Sequence, residues 1–600
     1  MKKLYLLLLV ATSFLSLNTL SAGNKDGRIL MYARLSGANE VPAVSTKAKG
    51  LVTFTLEEDY KTLSVYGVFD SLSGAVTGCH FHSGARGVNG GVVVNLISLV
   101  KGNVISGKVT ITKDILAAIN NFGIYMNVHT AANPGGEIRG QVNVETDLHF
   151  AAVMRGANEV PAVTTSGLGL GSFVLNYAYS RLEYRILVTG LSGNISAAHL
   201  HFGALGANGP VAYPLSFSGN TLTGFVDVNS AFVDSLFSGK VYVNVHTAAN
   251  PGGEIRSQLT FSNQVAFDAW AIGANEVPAT TSTGKALAIG WMTSSLDSLD
   301  YLVVYDSITP TAAHFHIGAA GVNGGVVVGF TPVSGLKAYS ARVAIKPDTL
   351  AKILRGDIYM NIHTSANPGG EIRGQTNTVV REGLVSNLCG KQEVPALGVT
   401  GVGAGLLSID RNKTLGHAEV QAIGLTGNAT AGHIHIGAKG VSGGVVVNLS
   451  ITGASANGAS GIFNIPRTTF ADSLTNGLMY YNVHTSANTG GEIRGQIAKD
   501  LQSECLPTGT FELNGEALTV KVYPNPLLDA LNVAFDSNDA FEAQVVVSDL
   551  LGRSLMSKNV DILRGSNQIQ MPVHNLSNGV FFVQLRSNNR ILFTEKVVKE

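Results

Sequence analysis

The sequence predicts an all-β chain of several tandem domains, and three observations predict it. One five-residue motif recurs four times at domain-length spacing. The segments between the copies alternate apolar and polar residues with period two, and the composition is rich in Gly, Val, Ser, Thr and Asn with only 14% charged residues. Short strands joined by glycine turns satisfy all three; helices and disorder do not. Six hundred residues also exceed what one core supports.

The N-terminus reads as a signal peptide over residues 1–22. Lys2 and Lys3 form a positive start, Leu4 to Leu20 is mostly apolar, and Leu20-Ser21-Ala22 ends in a small residue where a signal peptidase cuts. Thr12, Ser13, Ser16 and Asn18 interrupt the apolar run, which favours a cleaved signal over a membrane span. No later stretch is long and apolar enough to be a transmembrane helix. Formal charge sums to zero from 41 basic and 41 acidic residues, with no basic stripe, so nucleic acid is not expected as a partner.

The recurring motif is Asn39-Glu40-Val41-Pro42-Ala43, and its glutamate returns as Glu159, Glu276 and Glu393, 119, 117 and 117 residues apart. That period is far longer than a solenoid unit and matches a whole domain. A second block, Cys79-His80-Phe81-His82-Ser83-Gly84 followed by Gly87 and Gly90, returns around His199 and His201, His314 and His316, and His433 and His435. A third runs Met126-Asn127-Val128-His129-Thr130 and then Asn133-Pro134-Gly135-Gly136-Glu137-Ile138-Arg139-Gly140-Gln141. It returns around His246, His363 and His484, closing on Glu254 and Arg256, Glu371 and Arg373, and Glu492 and Arg494.

Between the blocks, Gly50–Leu56 and Leu63–Val68 read as strands, and Lys113–Ile119 and Asp348–Leu354 as one short helix per copy. About 115 residues of this kind make a β-sandwich or Greek-key barrel. The expected domains are 27–146, 147–262, 263–380 and 381–502, in a fairly compact string with almost no linkers. A linker over 503–518 and a small Ig-like β-sandwich over 519–600 follow.

Alternation places His80 and His82 on one face of a strand and Phe81, with its counterparts Leu200, Phe315 and Ile434, on the other. Asn127 and His129 alternate with Met126 and Val128 in the same sense. Three imidazoles per domain on adjacent strands form a donor set suited to copper or zinc. The candidate ligands are therefore His80, His82 and His129; His199, His201 and His246; His314, His316 and His363; and His433, His435 and His484. The plainer alternative is that these histidines hydrogen-bond to neighbouring groups and pin the glycine loop. In that alternative Glu137 and Arg139 form an ion-pair network with Glu40, and the NPGG segment is simply a turn. Of the three cysteines, Cys389 and Cys505 flank the fourth repeat. A disulfide between them would close a long loop and stabilise by roughly 3–5 kcal/mol; the alternative is two unrelated thiols. Cys79 reads as a small apolar filler. The Gly84, Gly87, Gly90 series lacks a following Gly-Lys-Ser/Thr, and no G-x-S-x-G or HExxH motif occurs, so no enzymatic activity is assigned.

The three spaced blocks resemble the CHRD domain first described in chordin, over roughly residues 28–500. In chordin such domains belong to an extracellular protein that binds growth factors of the bone-morphogenetic type, a partner no motif here carries over. The HxH strand, the later V-H strand and the closing G-G-x-x-R turn are also similar in order to copper/zinc superoxide dismutases. That resemblance implies His80, His82 and His129 as copper ligands and Arg139 as an anion guide at the mouth. It departs in lacking a fourth, bridging histidine, a zinc cluster and a flanking disulfide, so dismutase activity does not follow from it. At the C-terminus, Tyr523-Pro524-Asn525-Pro526, Asp549-x-x-Gly552-Arg553 and Lys596-Val597-Val598-Lys599 resemble the type A sorting domain of type IX secretion substrates. This implies the type IX secretion machinery as a partner and a secreted or cell-surface destination. Two functions follow as expectations: a multivalent extracellular binding or adhesion protein, or a metal-binding protein with one three-histidine site per repeat.

Overall fold

The computed structural model describes residues 26–600 except 453–456, 467–468, 503–504, 506–510, 514–515, 519, 528, 538–539, 550–552, 588–589 and 600. The signal peptide, and Gly552 of the sorting motif, lie outside the described residues. The chain divides into two units, residues 1–504 and 505–600, and it is all-β throughout. No helix among the described residues is long and apolar enough to cross a membrane.

The first repeat shows the plan. Its elements are β1 (Ile29–Ser36), β2 (Lys49–Leu56), β3 (Thr62–Asp70), β4 (Val76–Ser83), β5 (Val92–Asn95), β6 (Val100–Lys101), β7 (Val104–Thr110), α1 (Lys113–Asn120), β8 (Ile124–Thr130), β9 (Ile138–Gln141) and β10 (Asn143–Val144). They form one sheet in the order β5-β4-β8-β9-β1-β2-β3-β7-β6, with β10 paired to β1. Period-two alternation puts Val52, Phe54 and Leu56 of β2 and Phe81 of β4 into the core, where Phe54 and Phe81 meet edge to face with centroids 5.2 Å apart. Burying a Phe of this kind stabilises by about 1.5–3 kcal/mol. The helix starts because the Thr112 hydroxyl accepts from the Ile115 N–H, and it is held by Leu116 and Ile119 packing beneath the sheet. The second and third repeats keep the same strand order, while in the fourth the strands Val445–Thr452 and Gly458–Asn464 pair and close eight strands into a barrel.

The repeats do not form a string. The cores of the first and third are one continuous cluster, running from Ile29, Phe54 and Leu116 to Met292, Leu350 and Met360. Leu168, Leu170 and Leu187 of the second pack on Leu287, Ile289 and Val304 of the third, and Leu30 and Leu51 of the first pack on Val385 and Leu406 of the fourth. Outward sheet faces that a lone domain would leave polar carry aliphatic side chains here, and burying them against a neighbouring repeat is what draws the four together.

In the second unit, a sheet of Lys521–Tyr523, Ala530–Ser537 and Gly565–Pro572 and a sheet of Ser554–Ile562, Phe541–Ser548, Gly579–Ser587 and Arg590–Lys599 enclose a core of Val533, Val545, Val547, Val583 and Val597. Arg553 donates to Asp549 at 2.7 Å, joining the two charged residues of the central motif. The stretch expected to be a linker contains a paired strand segment, Phe511–Leu513 with Glu516–Leu518. Cys389 and Cys505 are both in the disulfide state, and Cys79 is a buried free thiol, its pKa pushed up to about 12 by burial.

Candidate metal centres

Antiparallel pairing of β4 with β8 sets His80 opposite Asn127, His82 opposite Tyr125 and Gly78 opposite His129. The three imidazoles therefore share the face turned away from Phe81. The same registers recur around His199, His201 and His246, around His314, His316 and His363, and around His433, His435 and His484. In each repeat one nitrogen from each of the three rings lies within 4.8 Å of the other two.

Hydrogen bonds select which nitrogens face inward. His82 Nδ1 lies 3.0 Å from the Gly90 carbonyl and His129 Nδ1 3.0 Å from the Pro134 carbonyl. A carbonyl only accepts, so both Nδ1 atoms carry the proton and both Nε2 atoms keep a bare lone pair. Those two Nε2 atoms, with His80 Nδ1, are buried and have no hydrogen-bond partner. The third repeat repeats this in full: His316 and His363 donate to Gly324 and Pro368, and His314 Nδ1, His316 Nε2 and His363 Nε2 are unpartnered. In the second and fourth repeats His201 and His435 donate to Gly209 and Gly443, and His246 and His484 to Pro251 and Thr489. There the first histidine also donates inward, His199 Nδ1 to His246 Nε2 at 3.2 Å and His433 Nδ1 to His484 Nε2 at 3.0 Å, leaving His201 and His435 Nε2 unpartnered. Burial, and then the neighbouring imidazoles, hold His80, His199, His314 and His433 below the ordinary histidine range, which favours the neutral form a metal needs.

A second layer fixes the rings. Tyr125 stacks on His82 at 5.0 Å with 13° between planes, and the Arg139 guanidinium lies over the same tyrosine ring, 3.4 Å from its centroid. The stack returns as Arg256–Tyr242–His201, Arg373–Tyr359–His316 and Arg494–Tyr480–His435. Arg139 donates to the Ala85 and Val88 carbonyls and to Asn89 Oδ1, clamping the glycine loop that presents the Gly90 carbonyl to His82. Gly90 must be glycine, because a Cβ there would fall 1.4 Å from the Ser83 carbonyl oxygen. The tyrosine was legible only as a residue standing four before the third histidine of every copy.

Of the expected Glu137–Arg139–Glu40 network, the charge of Arg139 does act on Glu40, as Arg256, Arg373 and Arg494 act on Glu159, Glu276 and Glu393, but Glu137 is not part of it. Glu137 stands in the turn before β9, not on it, and its buried carboxylate accepts from the Ser73, Thr130 and Thr46 hydroxyls and the Ser73 N–H. Arg139 points into the glycine loop, and among the described residues neither it nor Arg256, Arg373 or Arg494 is within ion-pair distance of a carboxylate. At 2% exposure, with its donors engaged, Arg139 is not an anion guide at a site mouth. Glu40 lies against Asn127, whose amide donates to it at 3.4 Å, and burial pushes its pKa up to about 7 despite the charge of Arg139.

For Glu254, the counterpart of Glu137 in the second repeat, burial raises the pKa, but hydroxyls of Ser192, Thr165 and Thr247 outweigh it and hold the value at about 2. A depressed carboxylate stabilises the fold above its unfolded value and loses that contribution as pH falls through the folded one. Thermal melts between about pH 5 and pH 2 should therefore show the wild type losing stability faster than Glu254→Gln. Parallel curves would contradict this account of the turn.

Comparison with known proteins now adds to the geometry. The family described as CHRD domain matches residues 31–142, 150–259, 267–376 and 384–497. The chain belongs to the CHRD domain family. Its C-terminus matches the family described as secretion system C-terminal sorting domain over residues 521–600. The protein is thus a type IX secretion substrate, released or displayed at the cell surface, with four tandem CHRD repeats. Among curated proteins it is similar to chordin of Danio rerio, 25% identical over 273 residues, covering 41% of this chain and 28% of that protein. Chordin of Xenopus laevis is 30% identical over 160 residues, covering 23% of this chain and 17% of that protein. The chain spans less than a third of either relative's length. Among solved structures, a trypsin-activated alpha-2-macroglobulin from Escherichia coli aligns over 97% of this chain and 42% of its own at 8% identity, with a TM-score of 0.14 that carries no argument.

Proposed function

We propose that this exported CHRD protein is a four-site metal carrier, each repeat holding one copper or zinc ion on its three histidines. The observation that supports it is the convergence of three imidazole nitrogens within 4.8 Å in every repeat, two of them with tautomers fixed by backbone carbonyls, and all three unpartnered in the first and third repeats. Leaving such atoms buried without a partner costs about 1–3 kcal/mol each, and a metal ion removes that cost. His80, His82 and His129 would hold the ion in the first repeat, with the equivalent trios in the others. The bound ion would supply Lewis acidity or, for copper, one-electron exchange. Tyr125 and Arg139 keep the His82 ring oriented, and the Gly90 and Pro134 carbonyls hold its proton and that of His129 away from the site. Electron paramagnetic resonance of the full mature chain loaded with Cu(II) tests this. Hyperfine structure from three equatorial nitrogens supports it, and a spectrum of only free or amide-bound copper overturns it.

Multivalent adhesion is a second reading, supported by valines exposed on the same glycine loops and at the start of the strands that follow them: Val88 and Val92, Val322 and Val326, and Val441 and Val445. Cells displaying the chain should adhere to an apolar surface, and Val88, Val322 and Val441 changed together to serine should remove that adhesion. Equal adhesion by both would exclude the valines from the role.

A further inference from the structure

The segments that join successive repeats are buried at the centre of the first unit, where they meet one another. The connector between β10 and the strand Leu148–Arg155 lies antiparallel to the connector ahead of Glu382–Cys389: Asp147 N–H donates to the Val379 carbonyl at 3.0 Å and Arg381 N–H to the Glu145 carbonyl at 3.1 Å. The connector between the second and third repeats joins them, its Gln264 carbonyl accepting from the Thr146 hydroxyl at 2.9 Å. Glu145, Asp147 and Arg381 are 0–3% exposed. Exposed linkers are the rule between domains, so three converging buried ones make a hub.

His417 sits in this hub, on the strand Leu415–Ile423, with both ring nitrogens against carboxylates. Nδ1 lies 3.1 and 3.2 Å from the two Glu145 oxygens, and Nε2 lies 3.2 Å from Glu419 Oε1. A neutral imidazole has one N–H and one lone pair, so it cannot satisfy both acceptors; two N–H donors require the imidazolium. Counterparts of His417 in the other repeats are Ser64, Glu183 and Asp300, so the feature belongs to the junction and not to the repeat.

We propose that protonated His417 is a pH-sensitive lock, binding the connector that leaves the first repeat to the fourth repeat, and that loss of its proton loosens the four-repeat assembly.

The surrounding groups all act in the same direction or are themselves paired. Glu419, on the same strand, is shared with Arg34 of β1 at 3.0 Å. Glu145 also accepts from the Ser408 hydroxyl at 2.6 Å and lies 4.0 Å from Arg381, which is paired with Asp147. Tyr177 stacks on the imidazole at 4.4 Å, and its hydroxyl meets that of Tyr32 at 2.8 Å. Tyr481, from the strand Met479–Thr485, donates to the Leu406 carbonyl at 2.5 Å, and burial and the nearby Glu419 and Glu145 keep its phenol neutral. Burial alone would lower the His417 pKa, but Glu145 and Glu419 raise it to about 9. The raised value gives the sign: the lock is complete below the unfolded value of 6.5 and is lost as pH rises through about 9.

The test is the melting temperature of the full mature chain from about pH 6 to pH 10, for wild type, His417→Gln and His417→Arg. The wild type should melt a few degrees above His417→Gln at the acid end, with the gap closing at the alkaline end. His417→Arg, whose charge does not titrate here, should keep a constant offset from His417→Gln. A gap between wild type and His417→Gln that is unchanged across the range overturns the proposal. If neither variant folds, the His417 Cε1 resonance of selectively labelled wild type decides: a titration midpoint above about 8 supports the lock, and one at or below the ordinary 6.5 overturns it.

Discussion

Replacing Arg381 with methionine should destabilise the four-repeat unit by about 3–5 kcal/mol, because it leaves buried charges without a partner. Arg381 is fully buried; its guanidinium donates to Asp147 at 3.0 Å, to the Ser408 hydroxyl at 2.8 Å and to the Leu415 carbonyl at 2.7 Å. Asp147 already has its pKa raised to about 6 by burial, with Arg381 opposing that shift. Methionine matches the length of the side chain and removes every donor, so cavity formation is not the main cost. Asp147 would protonate at neutral pH, and the Leu415 carbonyl would lose its donor. Denaturant unfolding of the full chain at neutral pH measures the loss. A change below about 1 kcal/mol would mean the connectors are held by the backbone pairs and aliphatic contacts alone.

Single histidine changes should subtract metal ions one at a time. His201→Ala removes one inward nitrogen from the second repeat, together with a ring that Tyr242 stacks on. Two imidazoles bind a divalent ion far more weakly than three, so occupancy of that repeat should fall at least tenfold while the other three repeats stay filled. The four sites are held by separate sets of side chains, so the losses from His82→Ala, His201→Ala, His316→Ala and His435→Ala should add. These histidines are buried and stack on tyrosines, so alanine also costs the metal-free protein some stability, and a cooperative melt of each variant checks that it still folds. Loss of metal with retained folding separates ligation from a purely structural role, in which metal would be irrelevant.

The repeats, the strands and the histidine face were legible because they rest on rules that act locally. Period two places Phe81 inward and His80 and His82 outward, and copying the blocks four times separates them from background. The turn after Pro134 was legible as a turn, but the partner of Glu137 was not. Alternation continues only along a strand, and Glu137 precedes one, so its carboxylate swings to Ser73, distant in sequence. The Arg139–Tyr125–His82 stack was missed because it joins three strands across the sheet, a contact no single segment encodes. The hub was missed for the opposite reason to the repeats. Glu145, Asp147, Arg381 and His417 each occur once, on connectors and on one strand, and only the packing of four domains brings them together.

The most direct test of the central claim is native mass spectrometry of the full mature chain, made without a histidine tag, loaded with copper or zinc and desalted. The account predicts four ions retained per chain, falling to three in His201→Ala. Retention of no ion by the folded chain, or of a number unchanged in His201→Ala, would contradict it.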